Sequence, residues 1–96
     1  MLTGKQRSYL KGLANTMDPI FQVGKSGITD NFIKQVDEAL EARELIKIKV
    51  LNNSLLESKE VALELAEKTK AEFVQSIGSK LVLYRESEEN KKIQLP

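Results

Sequence analysis

The stretch that most constrains the fold is Gly24-Lys25-Ser26-Gly27, which lies between an apolar run and a pattern typical of a helix start. The apolar run, Ile20–Val23, predicts a short strand. Thr29 is a residue type that caps helices, and Asp30 would follow it in the first turn, where acidic side chains are favoured. The sequence therefore has a lysine between two glycines at a predicted strand-to-helix junction. The free N–H groups at the start of a helix favour anions there, phosphate above all.

By itself this tetrapeptide is a weak signal, because most such sequences are simple turns. A nucleotide-binding P-loop is excluded by the spacing: the motif requires a glycine five positions before Gly24, and Pro19 stands there. The sequence leaves two possibilities for the loop, a plain turn or a phosphate contact built without a P-loop.

The composition argues against an enzyme. The 96 residues contain no cysteine and no histidine, which removes thiolate chemistry, the usual neutral-pH base and the commonest metal ligands. No compact pair of carboxylates in apolar surroundings stands out, and no segment resembles a signal peptide or a membrane span. We expect one soluble, cytoplasmic domain over residues 1–96, without cofactor, metal or membrane contact.

Hydrophobic periodicity predicts helices near residues 3–14, 30–43 and 58–70, and strands near 20–23, 45–50, 72–77 and 80–85. Thr3 and Gln6 form a capping box for the first helix. For the third helix, Ser58 is preferred to Ser54 as the N-cap, because the apolar stripe that follows Ser58 is cleaner.

The end of the chain carries a turn signal and a polar tail. Gly78-Ser79 predicts a two-residue hairpin turn. The strand that follows it is apolar throughout, which is typical of the interior of a sheet. Residues 86–96 are expected to be loose, with Ile93 and Leu95 as late contacts.

The second predicted strand alternates, with Ile46, Ile48 and Val50 on one face and Lys47 and Lys49 on the other. The order α-β-α-β-α-β-β contains two β-α-β crossovers, which place their helices on one side of parallel strands. The final hairpin adds an antiparallel strand. The predicted fold is an α/β two-layer sandwich whose second sheet face is only partly covered, with Lys47 and Lys49 pointing to that face.

Charge is divided unevenly along a chain whose formal net charge is only +1. The segments of the second and third helices are net negative. Cations collect instead in the N-terminal segment, in the glycine loop and on the strands, at Lys5, Arg7, Lys11, Lys25, Lys47, Lys49, Lys80 and Arg85. One basic and one acidic side are therefore expected, with an even distribution of charge as the alternative.

Over nearly its whole length the sequence resembles the CRM domain family (chloroplast RNA splicing and ribosome maturation), in particular its bacterial single-domain members of the YhbY type. The stretches that carry the resemblance occur in the family's order, at Leu2–Gln6, Leu10–Ala14, Gly24–Thr29, Ala39–Lys47, Val74–Gly78, Leu81–Arg85 and Lys91–Pro96.

The resemblance implies a fold like the C-terminal domain of bacterial translation initiation factor three, with a four-stranded mixed sheet in the order 1-2-4-3 and strand four antiparallel. The family's G-x-x-G loop falls on Gly24, Lys25, Ser26 and Gly27. KH domains place a similar loop between two helices, whereas this loop follows a strand, which argues against a KH fold. The resemblance also implies binding to RNA of large ribosomal subunit precursors.

Our functional hypothesis is RNA binding without catalysis, by a monomer. The loop would hold phosphates and the cations named above would extend the contact. The aromatic residues are expected in the core, with Tyr84, beside Arg85, as the one most available for stacking on a base. The alternative hypothesis is a protein-interaction module that docks on ribosomal proteins through the acidic helices.

Overall fold

A computed structural model describes residues 1–52 and 56–96. Over these residues the elements follow the predicted order, and each lies within one residue of its predicted bounds: α1 (Gly4–Ala14), β1 (Phe21–Val23), α2 (Asp30–Arg43), β2 (Leu45–Val50), α3 (Ser58–Thr69), β3 (Glu72–Ile77) and β4 (Lys80–Tyr84). The agreement follows from local signals, since hydrophobic periodicity and caps act over a few residues.

Threonine hydroxyls begin the first two helices, as predicted. The Thr3 hydroxyl accepts from the Gln6 N–H at 3.1 Å, and the Gln6 side-chain oxygen accepts from the Thr3 N–H at 3.1 Å. The Thr29 hydroxyl accepts from the Phe32 N–H, also at 3.1 Å. Both threonines have the extended backbone that is typical of an N-cap. Each hydroxyl satisfies a helix N–H that would otherwise lack a partner.

The start of α3 differs from the prediction. Its N-cap is Glu57, which makes no side-chain cap bond, so the prediction that Ser58 caps this helix was wrong. The Ser58 hydroxyl donates to the Gly78 carbonyl at 2.7 Å and lies 2.6 Å from the Ser76 hydroxyl. It therefore ties α3 to the β3–β4 hairpin instead of capping the helix. The other candidate cap, Ser54, lies outside the described residues.

The four strands form a sheet in the order β1-β2-β4-β3, the order that the resemblance implies. β1 pairs parallel with β2, and β4 pairs antiparallel with both β2 and β3. The hairpin turn between β3 and β4 is confirmed, with Gly78 at φ +58°. The edges of the sheet are β1 and β3, and a register shift between Phe73 and Gln75 places a bulge in β3.

Each face of the sheet packs against its own apolar cluster. On one face α2 and α3 cover the main cluster, whose buried members are Val23, Val36, Leu40, Ile46, Ile48, Val50, Val61, Ala62, Leu65, Leu81 and Leu83. On the other face α1 covers the second cluster, whose buried members are Leu2, Leu10, Ala14, Leu45, Val74, Val82 and Tyr84. The α/β class and the placement of α2 and α3 on one face are therefore confirmed.

The second face is covered further than the sequence suggested. Lys47 and Lys49 lie on this face, as the alternation predicts, since Ile46, Ile48 and Val50 belong to the main cluster on the other. α1 contacts β2, however, and Lys47 is only 9% exposed. Periodicity assigns a side chain to a face, but it does not indicate which distant helix will cover that face.

Residues 86–96 contain neither helix nor strand, and they lie against the body of the protein. Ile93 and Leu95 pack against the second cluster, as the sequence suggested. Backbone N–H groups of this segment donate to the carboxylates of Glu41 and Glu44, at and just beyond the end of α2. Two glutamates thus hold the tail over the face that α1 covers.

Candidate nucleic-acid interface

The glycine loop is a tight turn at the end of β1. The Gly27 N–H donates to the Gly24 carbonyl at 3.0 Å, and Gly27 has φ +67°, a left-handed conformation that favours glycine. Lys25 and Ser26 are exposed at the tip. The loop and the first turns of α2 line a shallow depression of about 300 Å³, so the lysine stands beside the start of the helix.

The base of the loop is braced from several directions. The Leu51 N–H donates to the Val23 carbonyl at 2.8 Å, which joins the ends of β1 and β2. The rings of Phe21 and Phe32 meet edge to face with their centroids 5.7 Å apart, which fixes β1 against α2. A rigid base of this kind holds the loop in one position relative to the helix start.

The helix start contributes both signs of charge. The end of a helix that carries free N–H groups is positive and attracts anions. The Thr29 hydroxyl already occupies the Phe32 N–H, and the exposed Asp30 carboxylate stands in the same turn. Since Asp30 offsets part of the helix charge, Lys25 supplies the positive charge that the site needs for an anion.

Lys49 and Lys80 are the predicted cations that the sheet places next to the loop. They are direct partners across β2 and β4, and Lys49 is also the partner of Gln22 on β1. Partners in register point to the same face of a sheet. Gln22 and Lys80 are exposed and Lys49 is half-buried, so the two lysines form a short row that begins beside the loop. Lys47, two positions before Lys49, is largely covered.

The cations of α1 lie away from the loop. Arg7 and Lys11 line a groove along β3, at the opposite edge of the sheet, and Lys5 is exposed in the first turn of α1. The structure thus places Lys25 in the glycine loop, Lys49 and Lys80 in the lysine row, and Arg7 and Lys11 at the β3 edge.

Arg85 is not brought together with the other predicted cations. One of its terminal nitrogens contacts the Asp37 carboxylate and donates to the Thr69 carbonyl at 2.7 Å, and the other donates to the Asp37 carbonyl at 2.9 Å. These bonds fasten β4 to α2 and to the end of α3. On the face that α2 and α3 cover, Lys68 also forms an ion pair with Glu64. Some of the cations on that face are therefore neutralised by carboxylates.

The aromatic side chains are mostly part of the core. Phe21, Phe32 and Phe73 pack against the main cluster, as expected. The suggestion that Tyr84 is available for stacking was wrong, because Tyr84 is 5% exposed and belongs to the second cluster. The exposed aromatic among the described residues is Tyr9, at 43%. The expectation that Tyr9 also lies in the core was therefore wrong, since Tyr9 joins neither apolar cluster although it is next to the buried Leu10 in α1.

Sequence reasoning missed Lys59, which lies in the first turn of α3 and lines the β3 groove together with Arg7 and Lys11. No local pattern marks it, because its neighbours come from β3 and α1. Over residues 1–52 and 56–96, no group of three or more His, Cys, Asp or Glu is placed to hold a metal ion. Within the same ranges, no helix combines the length and apolar character needed to cross a membrane.

Comparison with known proteins places this geometry in a family. The CRS1 / YhbY (CRM) domain matches residues 2–85. The chain is 54% identical to the probable RNA-binding protein YqeI of Bacillus subtilis, over the full length of both. It is 42% identical to an RNA-binding protein of Haemophilus influenzae, over 99% of this chain and 95% of that one.

A solved structure gives the same result. The chain matches the solution structure of a hypothetical Staphylococcus aureus protein proposed to bind RNA, with a TM-score of 0.83, 59% identity and full coverage of both chains. Since the domain match spans most of the sequence and the relatives align from end to end, the chain belongs to the CRS1 / YhbY (CRM) domain family.

Proposed function

We propose that this protein binds RNA of large ribosomal subunit precursors and assists ribosome assembly, with Gly24–Gly27 holding RNA phosphates. The observation that carries the proposal is the glycine turn itself, which presents an exposed lysine and backbone beside the start of α2. The family and the names of its relatives as RNA-binding proteins support RNA as the partner. The link to ribosome assembly rests on the resemblance to the family.

The mechanism is backbone positioning. Lys25 supplies charge to a phosphate, and the turn holds its own backbone and the first turn of α2 close to that phosphate. Contacts of this kind fix the position of an RNA without distinguishing base sequence. Selection would then depend on RNA shape and on 2′-hydroxyl contacts, with Tyr9 as the exposed aromatic available to stack on an unpaired base. No step in this role requires catalysis.

The proposal is tested by measuring affinity for large-subunit precursor RNA at several salt concentrations. Replacing Lys25→Ala removes one phosphate contact, so the slope of log affinity against log salt should fall by about 0.7–0.9. The melting temperature should not change, because Lys25 is exposed on a loop. The matched control is Lys68→Ala, which removes an equally charged exposed side chain from α3, on the helical side of the sheet.

Two results would contradict the proposal. An unchanged affinity and salt slope for Lys25→Ala would mean that the loop is only a turn. Failure of the wild-type protein to bind naked RNA, together with binding to ribosomal proteins, would favour the interaction-module hypothesis instead.

A further inference from the structure

A second basic site lies at the β3 edge of the sheet, opposite the glycine loop. A groove of about 410 Å³ runs along β3 and is lined by Arg7, Lys11 and Lys59. Arg7 and Lys11 are four residues apart on α1, which packs on one face of the sheet, and Lys59 lies in the first turn of α3, which packs on the other. The three cations therefore flank the edge strand from both sides.

These cations have no carboxylate partner within residues 1–52 and 56–96. Among the described residues, none of the ion pairs involves Arg7, Lys11 or Lys59, and no carboxylate lines the groove. The Nε of Arg7 is buried and has no hydrogen-bond partner in the part of the chain that the structure describes. A buried donor without a partner is costly, and three unpaired cations around one groove favour an anionic ligand.

A row of side chains joins this groove to the glycine loop. Register pairs run from Gln22 on β1 to Lys49 on β2, from Lys49 to Lys80 on β4, and from Lys80 to Ile77 on β3. The row thus crosses all four strands on one face, beginning one residue before the end of β1 and ending in the groove. With neighbouring strands about 4.8 Å apart, three intervals give a crossing of about 14 Å.

We propose that the groove of Arg7, Lys11 and Lys59 is a second RNA-backbone site, so that one strand held at the glycine loop crosses Lys49 and Lys80 and is bound again at the β3 edge. This inference rests on the proposed function and adds the path of the RNA. A single file of cations between two sites matches the single backbone of an unpaired strand. Ile77, 67% exposed at the end of the row, offers an apolar surface to a base.

An acidic peptide that adds a strand to β3 is a different partner for the same edge, and the structure disfavours it. The bulge between Phe73 and Gln75 interrupts the regular ladder of β3. Bulges and flanking lysines are features that discourage the pairing of an additional strand at a sheet edge. The charges of the groove are therefore better matched to phosphates than to another polypeptide backbone.

The test compares two single-stranded RNAs. One is long enough to span both sites, and the other can bind at the glycine loop but is too short to reach the β3 groove. The variant is Lys11→Ala with Lys59→Ala, both exposed, and the matched control is again Lys68→Ala. For the long RNA the variant should lose two phosphate contacts, so its salt slope should fall by about 1.4. For the short RNA the variant should bind like the wild type, whereas Lys25→Ala should weaken both RNAs.

The outcomes separate this inference from the proposed function. If Lys25→Ala weakens binding while the groove variant binds the long RNA like the wild type, the second site is refuted and the loop site stands. If the groove variant instead loses binding of a poly-glutamate probe and keeps its RNA affinity, the edge binds acidic peptides. If the wild type binds neither single-stranded RNA but binds large-subunit precursor RNA, the proposed path is wrong and the proposed function stands. If it binds none of the three RNAs, both proposals are wrong.

Discussion

Removing the Glu44 carboxylate should destabilise the protein by releasing its tail. Glu44 is fully buried, and its two carboxylate oxygens accept the N–H groups of Ser87 at 2.8 Å, Lys92 at 2.6 Å and Ile93 at 2.8 Å. At about 1 kcal/mol net for each bond, Glu44→Ala should lower the free energy of unfolding by about 3 kcal/mol. For a domain of this size, that corresponds to a fall in melting temperature of about 12–24 °C.

A graded comparison makes this magnitude specific. In Glu44→Gln the amide oxygen can still accept from Lys92 and Ile93, whereas the amide nitrogen would face the Ser87 N–H. One bond in three is lost, so the melting temperature should fall by about 4–8 °C. Glu44 has φ +67°, but Gln and Ala share the same backbone penalty, which therefore cancels in the comparison. Glu38→Ala, an exposed carboxylate on α2, controls for the change in net charge.

The same bonds predict a pH dependence. Burial alone would raise the pKa of Glu44, but the three backbone N–H groups and the positive charge of Lys91 together outweigh burial and lower that pKa below its ordinary value of 4.5. A lowered folded pKa gives stability that is present above the ordinary value and lost as pH falls through the folded pKa. The difference in stability between wild type and Glu44→Ala should therefore shrink as the pH falls below about 4.5.

Thermal unfolding followed by circular dichroism measures both effects, and hydrogen exchange of residues 87–93 shows whether the tail is released. If Glu44→Ala lowers the melting temperature at pH 7 by less than about 2 °C, the reasoning is refuted. For a domain of this size, such a decrease corresponds to a loss of less than 1 kcal/mol in the free energy of unfolding. A stability difference that persists unchanged at low pH would refute the role of the ionised carboxylate.

Two further predictions concern the loop and the hairpin. Gly27→Ala should cost about 1–2 kcal/mol because Gly27 is left-handed. Gly24→Ala should have the melting temperature of the wild type, since its new Cβ would lie at an ordinary contact distance of 3.7 Å from Leu51 Cδ1. Equal melting temperatures for Gly27→Ala and Gly24→Ala would contradict the left-handed turn at Gly27. Ser58→Ala removes hydrogen bonds to Ser76 and Gly78 and should cost about 1–3 kcal/mol by denaturant unfolding. A loss near zero would mean that the hydroxyl does not hold the hairpin.

The sequence predicted the elements well because their signals are local. The capping box of Thr3 and Gln6 acts over three residues, and the alternation of β2 assigned Lys47 and Lys49 to the correct face. The covered state of Lys47 depends instead on α1, which is distant in the chain. Periodicity predicts the face on which a residue lies, and long-range packing decides how exposed it is.

The tail contacts could not be predicted from any local pattern. Glu44 binds backbone N–H groups 43 to 49 positions away, and backbone groups leave no signature in the sequence. Arg85 was predicted as an RNA contact from its charge alone, whereas the structure shows its donors engaged by Asp37 and Thr69. The glycine loop could be recognised in the sequence because the residues of a candidate phosphate contact, Gly24–Gly27, are adjacent in the chain.

The most direct test of phosphate binding at the loop is to titrate the labelled protein with large-subunit precursor RNA and follow its backbone amides by NMR. Phosphate held at the glycine turn should produce the largest shift changes at residues 25–27 and at 30–31, the first turn of α2. Residues on the exposed sides of α2 and α3 beyond the first turn of each helix should change little. Unmoved amides at 25–27, with changes confined to those helical surfaces, would contradict the account.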